Sequence, residues 1–262
     1  MSAIVHGTIT GMADELYIER DGAGEPTLLL LHGLGATGQV WDGLRAVLAE
    51  SWPGTVVVPD LPGHGRSARL ARYSFGAMTA VVATAVAPRQ PVTVLGHSLG
   101  GVLGLALASG WFGVPVTTVY GLGIKVDWTE PELAKAAELA ARPERVFATR
   151  DEAIERWLRV AGLTGLVAPD STLVDAAVGA TPDGWVVRVD NAAFGVGAPD
   201  LAGLLAASCA EVVLAAGESD PMSPYERLAG LAAGLASEAR RLPGLGHNAH
   251  VEDPRAVAGL LS

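Results

Sequence analysis

Val92-Thr93-Val94-Leu95-Gly96-His97-Ser98-Leu99-Gly100-Gly101 is the stretch whose reading decides the fold. Residues 92–95 are apolar or β-branched, as in a strand covered on both faces, and residues 99–109 form an apolar run suited to a buried helix. Between them lies Gly-x-Ser-x-Gly. A serine on so sharp a strand-to-helix turn has a strained backbone, and its neighbours two residues away must lack side chains, which Gly96 and Gly100 do. The turn lifts the Ser98 hydroxyl above the carboxyl ends of the strands, at a helix N-terminus that favours developing negative charge. The five residues alone also fit an ordinary turn. The strand before and the helix after select the nucleophilic reading.

Outward from this point strands and helices alternate. Thr27–Leu31, Thr55–Pro59 and residues 116–120, 211–215 and 239–242 read as strands, and residues 40–49 and 74–86 as helices. Residues 5–10 and 15–19 add two short strand-like runs. The expectation is an α/β fold with a mostly parallel sheet and helices on both faces. Residues 124–200 differ, with helical stretches at 130–141 and 150–161 and no convincing buried strand. The expected organisation is a core of residues 1–123 and 201–262, with 124–200 inserted as a helical cap over one end of the sheet. The competing reading has these helices simply packed on the sheet.

Half of the 262 residues are hydrophobic and 18% are charged, which excludes intrinsic disorder. A net charge of −10, with no run of Lys or Arg, argues against a nucleic-acid partner. The single cysteine, Cys209, rules out an intrachain disulfide framework and reads as a small buried hydrophobe. The first 22 residues lack a basic start followed by an apolar core, so no signal peptide is expected. No formal charge falls between Arg89 and Lys125, but Pro91, His97, Pro115 and several glycines divide that run into strand, helix and strand rather than a membrane span. A soluble cytoplasmic chain with a small-molecule partner and no membrane partner is expected, and a homo-oligomer is compatible with the sequence.

After Thr27–Leu31 comes His32-Gly33-Leu34-Gly35-Ala36-Thr37-Gly38. Gly33, Gly35 and Gly38 spell a dinucleotide fingerprint, with Asp60 near the position of a ribose-binding acid. That reading leaves the serine turn unexplained. The competing reading is an oxyanion loop, in which an acyl-transfer site aims two N–H donors at one oxygen, here from Leu34 and Leu99. His32 then ties down its own loop by hydrogen bonding.

A serine nucleophile needs a histidine base held by a carboxylate, in the chain order serine, acid, histidine. Asp220 follows the strand at 211–215, and His247 follows a glycine turn after the strand at 239–242. Glu218 and Asp127 compete with Asp220, and His250 competes with His247. His6 and His64 read as structural or surface residues, with His64 also able to rim a pocket, and His97 as space-filling beside its strand.

Taken together, His32-Gly33, the segment from Asp60 to Ser67, the serine turn, the Asp220 segment and Gly246-His247 through Pro254 resemble the α/β-hydrolase superfamily over essentially the whole chain. The resemblance is to the branch with compact helical caps, which holds small esterases, enol-lactonases, haloperoxidase-like enzymes and carbon–carbon bond hydrolases. It implies a Ser98–His247–Asp220 triad with no metal or organic cofactor. Epoxide hydrolases and haloalkane dehalogenases carry aspartate where this chain has Ser98, which argues against both. Trp41, Leu122, Trp128 and Trp157 are expected pocket walls, with core packing the competing reading for each, and an apolar, uncharged lining favours a small to medium ester or lactone. Carbon–carbon hydrolysis of a diketone is the enzymatic alternative. A ligand-binding module without turnover and a dinucleotide-binding protein are the alternatives of another class.

Overall fold

The computed structural model describes residues 16–234 and 237–261. His6 and the strand-like run at 5–10 lie outside the described residues. In chain order the elements are β1 (Ile18–Asp21), β2 (Thr27–Leu31), α1 (Asp42–Leu48), β3 (Thr55–Pro59), α2 (Phe75–Ala83), β4 (Val92–His97), α3 (Leu99–Ala108) and β5 (Val116–Leu122). Then follow α4 (Glu130–Ala140), β6 (Val146–Phe147), α5 (Arg150–Val160), β7 (Val178–Thr181) and β8 (Gly184–Val187). The last are α6 (Leu201–Ala207), β9 (Glu211–Gly217), α7 (Tyr225–Ala233), β10 (Glu238–Leu242), α8 (Ala249–Glu252) and α9 (Pro254–Ala258).

Seven strands form one sheet in the order β1-β3-β2-β4-β5-β9-β10. Among the described strands of this sheet only the β1–β3 pair is antiparallel. The chain leaves β2 toward β3 on one side and returns to β4 on the other. Such a reversal opens a crevice at the carboxyl ends of the strands. All five residues of β2 are buried, and its side chains alternate between two cores. Leu28 and Leu30 join α1, while Leu29 and Leu31 join α2 and α3. Burial on both faces is why these strands read as continuous apolar runs. Every residue of α3 is buried, so the charge-free stretch is the central strand–helix–strand unit of the fold. No helix among the described residues is long and apolar enough to cross a membrane.

Two expectations need correction. Residues 124–200 hold a three-stranded antiparallel sheet, in the order β6-β8-β7, beside helices α4 and α5. Strands of two to four residues are too short to show a period of two against the surrounding polar turns. Cys209 is exposed, because it stands in the turn between α6 and β9 rather than inside the strand.

Candidate active site

Strand register sets the site. Leu31 of β2 lies opposite Gly96 of β4, His97 opposite Leu122 of β5, Leu122 opposite Ala215 of β9, and Gly217 of β9 opposite Leu242 of β10. Of these five adjacent strands, β2, β4, β9 and β10 are followed by the segments that carry Leu34, Ser98, Asp220 and His247.

Ser98 has φ 50° and ψ −114°, a conformation outside the regions comfortable for a side-chain-bearing residue. Such strain costs about 1–3 kcal/mol and persists only where the surroundings over-determine it. Here the Ser98 N–H donates to the Leu122 carbonyl at 2.8 Å, tying the turn to β5. A Cβ on Gly96 would stand 2.3 Å from the Gly100 carbonyl oxygen, and one on Gly100 would stand 2.2 Å from that of Leu31. Both glycines are demanded by backbone crowding. Leu99 is the first residue of α3, so its N–H has no partner within the helix. The loop after β2 lies directly against the serine, since a Cβ on Gly33 would be 3.4 Å from Ser98 Cβ and 2.7 Å from His97 Nδ1.

Several contacts fix that loop. His32 Nε2 accepts from the Leu61 N–H at 2.8 Å, so its proton sits on Nδ1, which donates to the Gly33 carbonyl at 2.8 Å. Burial, and then His64, hold His32 well below the ordinary imidazole value, so the ring stays neutral. Trp157 Nε1 donates to the Gly35 carbonyl at 3.0 Å from α5. Buried Asp60 accepts from the Gly38 N–H at 2.7 Å and from both the backbone and side chain of Arg66. An acid engaged this fully within its own fold is a loop anchor and not a ribose ligand, which removes the dinucleotide reading.

Asp220 is buried and its Oδ2 accepts from His247 Nδ1 at 2.9 Å. The Met222 and Ser223 N–H groups donate to Asp220 Oδ1 at 2.8 and 3.2 Å. With Nδ1 donating to the carboxylate, the second ring nitrogen of His247 is free to accept a proton. The competing acids lie elsewhere. Asp127 is exposed and forms a two-pronged pair with Arg227 at 2.7 and 2.9 Å, and exposed Glu218 accepts from the Gly244 N–H at 2.9 Å. His250 is buried, 4.4 Å from the Trp41 ring and 4.4 Å from the His97 ring between centroids. Burial carries it down to about 3. His97 does more than fill space, because its Nε2 donates to the His247 carbonyl at 2.9 Å and so holds that residue's backbone. His64 is buried against His32, with Nδ1 donating to the Pro62 carbonyl at 3.0 Å, and does not rim the cavity.

Ser98 and His247 open into one cavity of ≈ 360 Å³, whose wall also includes Leu34, Leu99 and Trp128. The other three expected walls are corrected. Trp41, Leu122 and Trp157 are fully buried in the core and do not line it. Trp41 turns onto His250, and Trp157 turns its ring nitrogen onto the loop after β2. Phe75, Val102, Phe194 and Met222 supply apolar surface instead, and Lys125 and Arg159 make the lining charged where an uncharged one was expected. Gly123 was not singled out from the sequence. It has φ +61°, and a Cβ there would stand 3.2 Å from Asp220 Oδ2 and 3.4 Å from His247 Nδ1. A glycine just after a strand that neighbours the serine strand is the signal that could have found it. Among the described residues no group of three or more His, Cys, Asp or Glu side chains could hold a metal ion.

Solved structures share this arrangement of the chain. A thioesterase domain from the curacin biosynthetic pathway superposes with a TM-score of 0.80 at 20% identity, covering 99% of both chains. An M. tuberculosis esterase superposes with a TM-score of 0.75 at 23% identity, covering 99% of this chain and 90% of its own. At such identities the likeness is one of fold. Among curated relatives, the magnesium-chelatase 30 kDa subunit of Rhodobacter capsulatus is 37% identical over 124 residues, 46% of this chain and 42% of that protein. A pimeloyl-[acyl-carrier protein] methyl ester esterase of Pectobacterium carotovorum is 42% identical over 93 residues, 36% of this chain and 35% of its own. The chain thus spans less than half the length of these curated relatives. A family model described as "Alpha/beta hydrolase family" matches residues 28–260. That match runs from β2 through the last described helix and takes in the serine turn, Asp220 and the histidine turn, so the chain belongs to the alpha/beta hydrolase family.

Proposed function

We propose that this protein is a serine hydrolase that cleaves a small to medium carboxylic ester or lactone through an acyl-enzyme on Ser98. The observation that carries the reading is the 2.9 Å contact of His247 with buried Asp220, in the wall of the cavity that also holds Ser98. The esterase names among the relatives support it.

In the proposed reaction His247 takes the Ser98 proton as Oγ bonds to the substrate carbonyl carbon. The carbonyl oxygen gains negative charge and accepts from the Leu34 and Leu99 N–H groups. Collapse breaks the carbon–oxygen bond of the ester, and the alcohol leaves with the proton held by His247. Water then attacks the acyl carbon, gives its proton to His247, and the Ser98 Oγ–carbon bond breaks as that proton returns to Oγ. Asp220 keeps its charge throughout and stabilises the imidazolium. No metal or organic cofactor takes part in these steps.

Residues 124–200 act as the cap in this scheme, since Lys125, Trp128, Arg159, Val160 and Phe194 all come from that segment. Trp157 is a positioning residue acting through the Gly35 carbonyl. Trp157→Phe keeps most of the ring and removes the donor, so kcat on a short ester is expected to fall about tenfold, the worth of one hydrogen bond of about 1.4 kcal/mol, with KM changed less than twofold. A stopped assay reporting KM and kcat separately checks this, and a change confined to KM would contradict it.

The test of the function is a panel of short p-nitrophenyl esters, lactones and a vinylogous diketone. Esters or lactones should turn over fastest, and a fluorophosphonate should abolish the activity while labelling one residue, Ser98. A diketone cleaved faster than every ester would move the reaction to carbon–carbon bonds. Tight ligand binding with neither turnover nor labelling would make the protein a binding module.

A further inference from the structure

Beside the catalytic cavity lies a second concavity of ≈ 160 Å³ whose wall carries three arginines, Arg142, Arg145 and Arg156. Val160 and Phe194 line both spaces and so form the partition between them. Arg142 and Arg145 belong to the segment between α4 and β6, and Arg156 to α5. The segment is held in place by Asn191, whose Nδ2 donates to the Arg142 and Pro143 carbonyls at 3.0 and 3.2 Å.

These charges are not neutralised locally. Glu144 is the one carboxylate in the wall, and it pairs with Arg69. Arg142 reaches Glu138 only at 4.0 Å, with both side chains mostly exposed, an arrangement that contributes almost nothing. Among the described residues Arg145 and Arg156 form no ion pair, and the Arg145 guanidinium lies 4.7 Å over the Phe147 ring. Burial, followed by Arg159, Arg145 and Arg142, pushes Arg156 below the ordinary arginine value, so Arg156 feels the charge of the other three. The chain has 28 acidic residues and a net charge of −10, yet it gathers like charges here without countering them. Arg156 and Arg159 are three apart on α5, so one helix face carries a cation into each space.

Resting on the hydrolase reading, we infer that Arg142, Arg145 and Arg156 form a subsite for a phosphate group carried by the substrate, with the acyl carbonyl reaching Ser98 past Val160 and Phe194. Guanidinium forks match phosphate oxygens in shape, and several together match a dianion in charge, whereas a monocarboxylate occupies one fork and leaves the rest repelling. The substrate class is therefore an acyl ester or thioester whose alcohol or thiol portion ends in a phosphate. The apolar cavity takes the acyl chain, and the arginine groove takes the handle.

The test uses two thioesters that differ by one phosphate, S-butyryl-4′-phosphopantetheine and S-butyryl-pantetheine, with wild type and the double variant Arg145→Gln, Arg156→Gln. The wild-type ratio of kcat/KM, phosphorylated over unphosphorylated, should be about ten or more at low salt. It should fall toward one in the double variant and in 0.5 M salt, as screening requires (about tenfold is one charge-assisted contact). A wild-type ratio near one, or a ratio that survives in the double variant, would overturn the subsite. Calorimetry with 4′-phosphopantetheine and pantetheine separates this from failure of the hydrolase reading. Tight binding that needs both the phosphate and the two arginines upholds the subsite even if neither thioester is cleaved. Equal binding of the two probes would overturn it even if both are.

Discussion

Ser98→Ala is expected to lower kcat on a short p-nitrophenyl ester by about 10⁴–10⁶-fold, with the protein still folded. The substitution removes one oxygen from a backbone position that the neighbouring glycines and the Leu122 carbonyl already hold, so the turn itself survives. What disappears is the atom that bonds to the acyl carbon. Neither His247 nor the Leu34 and Leu99 amides can substitute for it, because a base and an oxyanion site without a nucleophile give only the residual catalysis of binding. Asp220→Asn should cost about 10³–10⁴-fold by a different route. The Met222 and Ser223 amides that hold Oδ1 would keep the side chain in place, while an amide group facing His247 would favour the wrong ring tautomer. Circular dichroism and steady-state rates on the two variants check both values. Full activity in Ser98→Ala would mean that another group is the nucleophile.

Between pH 7.5 and 5.5 the protein is expected to lose about 5 kcal/mol of stability, a large share of the 5–15 kcal/mol that folded domains have. His32, His64, His97 and His250 are all buried neutral. Burial lowers His64 to about 4 and His250 to about 3, and holds His32 and His97 well below 6.5. Unfolded, each takes up a proton near its ordinary value of 6.5. The unfolded chain therefore binds more protons as pH falls, so the stability present above pH 6.5 drains away toward pH 4. Between pH 7.5 and 5.5 each group contributes about 1.4 kcal/mol, so the four together give about 5 kcal/mol. Asp60 and Asp42, both raised by burial, run in the opposite sense, but two groups do not offset four. Urea titrations at the two pH values measure the loss, and His250→Phe should remove one group's share of the slope. Stability independent of pH in this range would show that the four rings are not buried neutral.

The serine turn, its strand and its helix were legible because backbone crowding dictates the glycines, and crowding is a local property. Asp60 was ambiguous for the opposite reason. Its spacing fits a ribose-binding acid, and only the contacts of its carboxylate with Gly38 and Arg66 reveal an anchor. Trp41, Leu122 and Trp157 were misread as cavity walls because a large apolar side chain near the end of a sheet has the same sequence signature whether it turns inward or outward. Phe194 and Met222 were missed because they reach the cavity from a short 3-10 helix and a turn, both remote in sequence from the serine. The small antiparallel sheet carried no readable period, and the role of Gly123 depends on a carboxylate about 100 positions away. The sequence order serine, acid, histidine left Glu218 and Asp127 competing with Asp220, because Glu218 follows the same strand, and only the side-chain partners show the other two engaged elsewhere.

The most direct measurement is a crystal structure of the protein after inactivation with a phosphonate ester. Phosphorus bonded to Ser98 Oγ is expected, with one phosphonyl oxygen about 2.7–3.1 Å from both the Leu34 and the Leu99 nitrogen. The free ring nitrogen of His247 should lie within hydrogen-bonding distance of Oγ or of the leaving-group oxygen position. Phosphorus on any other residue, or an adduct whose oxygen points away from those two amides, would contradict the account.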